Sequence, residues 1–290
     1  VKRKSKEKAY HVIALVVIAI ALIFYLIPVY WIITTSFKPY MDIFAMPPKF
    51  TFKPTFDNYV GLMTIRAMSD GKMKVASASS YPWQLLNSII IGFVSTALAV
   101  CLGTMSAYAF SRFPVKGKGD IMFFILSTRM MPPVAVVIPL FLMYRALHLI
   151  DTHIGLILLY TTFNVSFATW MMKGFMDEIP KEYEEAALVD GYSRFSAFLK
   201  IVLPQSVTGI AATAVFCLIT AWNEFTFALI MTTKNARTAP PSLASRMGSS
   251  GVEWGQIAAG TFIFLIPIVV FTFIMRNHLL RGVTFGAIKK

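Results

Sequence analysis

The sequence predicts an all-α polytopic membrane bundle of six transmembrane helices. Three observations carry this: 57% of the 290 residues are hydrophobic, only 14% are charged, and the apolar residues gather into long uncharged runs. Soluble domains carry about 25% charged residues, so a water-soluble enzyme is excluded on composition. Disorder is excluded as well, because 25 Phe, 11 Tyr and 5 Trp are far too apolar for a chain that stays unfolded. The 27 Lys and Arg stand against 14 Asp and Glu, a net charge of +13. In so apolar a chain that excess reads as membrane topology rather than nucleic-acid binding.

The first run, residues 11–33, has no Asp, Glu, Lys or Arg. At about 1.5 Å per residue it reaches about 34 Å, enough for a hydrocarbon core of about 30 Å. Its basic prelude (Lys2, Arg3, Lys4, Lys6 and Lys8) resembles a signal-peptide n-region, but the run is too long and ends in Trp31 without a small-residue cleavage site, so it is read as retained. The first residue is Val1 rather than Met, consistent with an alternative start codon or a trimmed terminus. Further spans follow at 85–111, 121–144, 154–172, 206–233 and 257–275. Pro132, Pro133 and Pro139 are expected to kink the third, because proline removes a backbone donor.

Basic residues set the orientation. With the N-terminus inside, the cytoplasmic segments hold 16 Lys and Arg and the short outer loops hold four, with six more in the long segment 38–84. Both termini are therefore expected in the cytoplasm, and Trp31, Trp83 and Trp254 at the outer interface. The resulting layout is a basic tail (1–10), the first helix (11–33), a periplasmic region (34–84), a transmembrane core (85–276) that includes a polar loop at 177–204, and a cytoplasmic tail (277–290). Cys101 and Cys217 both fall within spans and read as small apolar residues.

Catalytic and cofactor signatures do not assemble. His11, His148, His153 and His278 lack metal-ligand spacing, and no glycine-rich run ends in Gly-Lys-Ser or Gly-Lys-Thr, so the chain is expected to bind neither metal nor nucleotide itself. No nucleic-acid partner is expected either. The loop at 177–204 is the outlier: Asp177, Glu178, Glu182, Glu184, Glu185 and Asp190 make it too polar for lipid. Pro180 suits a helix first turn, the acids that follow complement the positive helix N-terminus, and Gly191 supplies a left-handed stop. This predicts a short helix over 181–190, a second capped by Ser193 and running to Lys200, and entry into the fifth span at Pro204.

The run Glu185-Ala186-Ala187, three residues, Gly191, nine residues and Ile201-Val202-Leu203-Pro204 resembles the signature loop of bacterial ABC importer permeases of the type I fold. Trp31 to Pro39, Phe56-Asp57-Asn58-Tyr59, Asn87-Ser88, Ala221-Trp222-Asn223-Glu224-Phe225 and Gly282 to Ala287 are similar to the carbohydrate branch of that family, in particular to the smaller permease of the maltose transporter. Arg129-Met130-Met131-Pro132-Pro133-Val134 resembles importers for sugars and polyols. Tyr192 departs from the pattern, which often has Ala after Asp-Gly.

The resemblance implies a permease subunit of the bacterial inner membrane that forms half of a carbohydrate pathway. Its partners would be a second permease as heterodimer, an ATPase dimer that holds ATP and Mg, and an extracytoplasmic solute-binding protein. Glu182, Glu185, Ala186, Ala187, Asp190, Gly191, Leu203 and Pro204 would couple to the ATPase, the small residues permitting close helix approach, and residues 285–290 would add a second contact. The other reading is a secondary carrier driven by an ion gradient, against which the docking loop and the lack of evident inverted repeats weigh.

Formal charges inside the spans are confined to Arg129 and Glu224, and intramembrane ions are functional candidates. Counting along straight helices puts Arg129 about 12 Å and Glu224 about 27 Å from the cytoplasmic ends, a gap of about 15 Å that opposes pairing unless a helix is broken. Arg129 is then expected to snorkel inward or to meet Asn164. Sugar hydroxyls need polar partners and sugar rings suit aromatic platforms, so Arg129, Asn164, Trp222, Asn223 and Glu224 are the pathway candidates.

Overall fold

The computed structural model describes residues 2–69, 72–248 and 251–286, with side chains described for 11–65, 77–247 and 252–276. The basic N-tail side chains and the contact expected of 285–290 lie outside the described residues. The chain forms two compact units, one of Val1–Tyr81 with Leu243–Leu265 and one of Pro82–Ser242 with Ile266–Lys290.

In the first unit, helix α1 (Lys2–Phe37) carries apolar side chains on every face over residues 12–33, and residues 11–31 are all exposed. A helix apolar all round needs an apolar surrounding, here lipid. Short helices α2 (Tyr40–Ile43) and α3 (Asp57–Met63) follow, then an antiparallel hairpin of β1 (Thr64–Ser69) and β2 (Lys72–Ala78). A second small hairpin pairs β3 (Met247–Gly248) with β4 (Gly251–Val252). These two hairpins qualify the all-α expectation, and both lie outside the apolar runs. Asn58 Nδ2 donates to the carbonyls of Ser36 and Lys38, each at 2.9 Å, satisfying acceptors that the end of α1 leaves open.

The second unit is built on α4 (Tyr81–Arg112), α5 (Lys118–Ser127), α6 (Pro133–Ala146) and α7 (His153–Glu178). Then come α8 (Glu182–Val189), α9 (Arg194–Ala197), α10 (Leu203–Gln205), α11 (Val207–Trp222), α12 (Thr226–Met231) and α13 (Ala239–Ala244), the last of which ends in the first unit. Helix α14 (Trp254–Gly286) begins in the first unit and ends in the second. Close packing comes from small residues: a Cβ added at Gly103 on α4 would lie 2.5 Å from Ala168 Cβ on α7. Such contacts substitute for the hydrophobic effect, which does not drive helices together in lipid.

Among the described residues four helices are long and apolar enough to span a membrane, and the number rises to six if two bent pairs each count as one span. Two expected spans are therefore not continuous helices. The run 121–144 breaks between a 3₁₀ turn (Thr128–Met130) and α6, the two halves bending by 92°. Met131 is extended because it precedes a proline, and the consecutive Pro132 and Pro133 supply no N–H to bridge the gap; Pro139 stays inside α6. The run 206–233 ends as a helix at Trp222 and restarts at Thr226, and it enters through a 74° bend after Gln205. Hydropathy counting does not register either break, since the residues around both remain mostly apolar.

The restart after α12 is tied down from a distance. Asp151, in the loop between α6 and α7, accepts the N–H groups of Thr233, Lys234, Asn235 and Ala236 at 3.0–3.1 Å, and the Thr233 hydroxyl at 3.0 Å. Successive N–H groups turned to one side form an anion nest. Burial works against the Asp151 charge, but the donors of Asn235, Ala236 and Thr233 outweigh it and hold its pKa below the usual carboxylate value. Its stabilisation is therefore complete above the unfolded carboxylate range of about 4 and is lost as pH falls through the folded value. Asp151→Asn is expected to lower the apparent melting temperature of the detergent-solubilised protein at pH 7. The gap from wild type should narrow below about pH 4; a gap independent of pH in size-exclusion assays after heating would contradict the nest.

Candidate functional site

The polar loop after α7 is a helix-turn-helix, close to expectation. Helix α8 starts one residue later than predicted, with Lys181 at the N-cap and Pro180 outside the first turn. Its stop is a Schellman motif: the Gly191 N–H reaches the Leu188 carbonyl at 3.1 Å and the Tyr192 N–H reaches that of Ala187 at 3.0 Å. Gly191 sits at φ 88°, in the left-handed region, and a Cβ there would meet nothing within 4 Å. Its glycine is thus demanded by backbone conformation, as the left-handed stop expected from the sequence. Ser193 caps α9 by accepting the Ser196 N–H, but the α-helix ends at Ala197 and a π-helical stretch, Phe198–Val202, carries the chain toward Pro204.

Which face of α8 is free is decided by one buried acid. Glu184 accepts hydrogen bonds from the Tyr108 hydroxyl and from Arg112 Nε at 3.0 Å, both from the end of α4, and the Glu184 and Arg112 side chains are each only 5% exposed. The Arg112 guanidinium also donates to the Ile179 carbonyl and to Ser111 Oγ, each at 3.0 Å. Ser111 in turn donates to Asp177, which pairs with Lys173. This chain of contacts joins α4, the end of α7 and α8 into one body. Ala187 shares the inward face with Glu184, while Glu182, Glu185, Ala186, Asp190 and Gly191 are exposed. Leu203 is half-buried and Pro204 exposed at the far end of the loop. Sequence reasoning singled out Glu185 and passed over Glu184, Arg112 and Tyr108; the i, i+3 spacing of Glu184 and Ala187 was the available signal.

Both helices that carry the intramembrane charges are broken, at 131–132 and at 223–225, and Arg129 and Glu224 line a single cavity of about 190 Å³. They form no ion pair with each other. Glu224 accepts the N–H groups of Phe227 at 2.8 Å and Ala228 at 3.0 Å, together with the Tyr160 hydroxyl at 2.7 Å, so the acid caps the restarting helix α12. Arg129 stacks on Phe167, with its guanidinium carbon 4.6 Å from the ring centre. Asn164 lines the same cavity but commits its amide to helix α11, donating to the Cys217 carbonyl at 3.2 Å and accepting from Thr220 at 3.1 Å. Trp222 is buried beside Phe93, and Asn223 is exposed with its amide on the Ile219 carbonyl. Among the described residues no group of His, Cys, Asp and Glu is placed to hold a metal ion.

Long apolar helices, bent helix pairs and one rigid polar loop define a multi-pass membrane protein. Residues 99–284 match the family described as "Binding-protein-dependent transport system inner membrane component", and the chain belongs to that family of the bacterial inner membrane. Membership makes it a transport component, with ATP hydrolysis the task of a separate subunit. It is 38% identical over 267 residues to the trehalose transport system permease protein SugB of Mycobacterium tuberculosis, covering 91% of this chain and 92% of the relative. It is 34% identical over 266 residues to the trehalose/maltose transport system permease protein MalG of Thermococcus litoralis, covering 91% of each. In fold it matches a chain of a bacterial ABC transporter involved in import of the acidic polysaccharide alginate, with a TM-score of 0.72 at 18% identity, over 94% of this chain and 98% of that one.

Removing one partner of the buried pair leaves the other charge uncompensated, a loss of about 3–5 kcal/mol, whereas replacing both with apolar groups is often close to neutral. Arg112→Met and Glu184→Met are each expected to destabilise strongly, and the double variant less than either alone. A double variant as unstable as the two effects summed would show that the pair acts independently.

Proposed function

We propose that this chain is one of two permease subunits of an ATP-driven importer for a carbohydrate. It forms half of the translocation pathway as a heterodimer with a second permease, receives solute from an extracytoplasmic binding protein, and is driven by an ATPase dimer that holds ATP and Mg. The substrate class is supported by the relatives, whose names specify trehalose, maltose, sulfoquinovosyl glycerol and diacetylchitobiose. Counting each bent pair as one span gives six, with both termini in the cytoplasm, residues 34–84 on the outer side and the loop 177–204 on the inner side.

The carrying observation is the immobilised α8. Because Glu184 and Ala187 are turned inward, Glu182, Glu185, Ala186 and Asp190 are presented together on a face that no described residue covers. In this reading an ATPase grips that face, and Leu203 and Pro204 relay its movement into α11. Coupling requires that the ATPase contact the two conformations of the permease unequally, since a partner with equal affinity for both shifts nothing. Within the pathway set, Arg129 and Glu224 face the cavity, Asn164 holds α7 to α11 at its wall, and Trp222 and Asn223 end the helix that the break at 223–225 interrupts.

Glu185→Lys is expected to leave membrane insertion intact while abolishing most ATP-dependent uptake in reconstituted proteoliposomes. Gly191→Leu adds about 1–2 kcal/mol of left-handed backbone strain and should loosen the same face. Wild-type transport by both variants would refute the coupling role. Uptake that ignores ATP but collapses with a protonophore would instead favour an ion-driven carrier.

A further inference from the structure

The cavity between the two helix breaks contains an unmet demand. Arg129 Nη1 is buried and has no hydrogen-bond partner. A guanidinium carries five donors, and a buried donor left unpaired is costly enough to call for a partner. Facing the same space is Glu224, whose Oε2 accepts from Tyr160 and Ala228 but whose Oε1 accepts from Phe227 alone. A carboxylate oxygen has two lone-pair sites, so Oε1 retains an acceptor position. Phe163 adds an apolar ring to the lining and is held in place by stacking on the buried Phe227, with ring centres 5.0 Å apart and planes 27° apart.

We propose that this cavity binds a neutral sugar ring, with one hydroxyl accepting from Arg129, an adjacent hydroxyl donating to Glu224, and an apolar C–H edge of the ring against Phe163. The inference rests on the carbohydrate reading above and narrows it. A diol is the complement of a donor and an acceptor held apart, and a hydroxyl serves either role. Charge selects among sugars. The cavity holds one cation and one anion, so it offers a carboxylated or sulfonated sugar no net attraction and places Glu224 against its acid group. The site also has a structural logic: Glu224 is pinned by the backbone of α12 and by Tyr160, and Arg129 by the face of Phe167, so neither side chain has to be ordered when a ring arrives.

The test uses the full chain co-purified with its permease and ATPase partners in nanodiscs, without binding protein. Equilibrium binding of radiolabelled trehalose and of a radiolabelled galacturonate dimer is measured, alongside uptake of both by the same complex in proteoliposomes with the binding protein added. The expected result is trehalose binding that weakens about tenfold or more in Arg129→Met and is partly kept in Arg129→Lys. Met131→Trp, which adds bulk to the cavity lining and keeps both charged residues, should abolish binding while leaving basal ATP hydrolysis intact. Equal trehalose binding by wild type, Arg129→Met and Met131→Trp would overturn the site. Preference for the galacturonate dimer would overturn the neutral class. Absence of direct binding by wild type would also overturn the site, and uptake would separate the two failures: sugar uptake without direct binding sinks only this inference, and no sugar uptake sinks the carbohydrate reading as well.

Discussion

A carboxylate withdrawn from water has to find a counter-charge, and at Glu184 that requirement organises the polar loop that follows α7. The acid is held by Arg112 and Tyr108 at the end of α4, and Arg112 also reaches the Ile179 carbonyl where α7 gives way to the loop. One ionic anchor therefore ties the end of α4 to the end of α7 and to α8, whose contacting residues follow some 65 or more positions later. Rotation of α8 about its axis is fixed, and with it the choice of which acids point outward. A buried ion pair is poor evidence for net stability, since a hydrophobic substitute often does as well. What the pair does fix is one orientation of α8, with Glu184 inward and Glu185 outward.

The same economy of charge governs the helix breaks. Backbone groups released inside a membrane have no water to turn to and have to be satisfied by the protein. Glu224 meets this need at the start of α12 by accepting two N–H groups, which allows irregular backbone where an unbroken helix would otherwise be required. Asp151 does the same work outside the apolar runs, accepting four N–H groups in succession just beyond the end of α12. Beside the irregular backbone lies the cavity shared by Arg129 and Glu224, a mostly apolar space with a few polar groups turned into it.

Much of this architecture was legible from sequence because lipid is an undemanding reader: length and the absence of charge suffice to mark a span. Helices around 11–33, 85–111, 154–172 and 257–275 stand where the uncharged runs lie, extended by one to eleven residues at their ends. The short helix α8, the Gly191 stop and the Ser193 cap were equally readable, since capping and left-handed turns depend on residues within a few positions of one another. The break at 131–132 was signalled by consecutive prolines, although its 92° amplitude was not. The break at 223–225 carried no local signal, because the donors that Glu224 accepts reward it only once the chain has turned.

Sequence alone thus determined the membrane setting, the family and the polar loop, all of which follow from composition and short-range pattern. Tertiary structure alone decided that Glu184 points inward and Glu185 outward, that Asp151 binds a turn some 80 residues away, and that Arg129 and Glu224 share a cavity. These outcomes rest on pairing buried charges with groups remote in the chain. The nearest partner of such a charge is a property of packing, and hydropathy, periodicity and spacing carry no record of it.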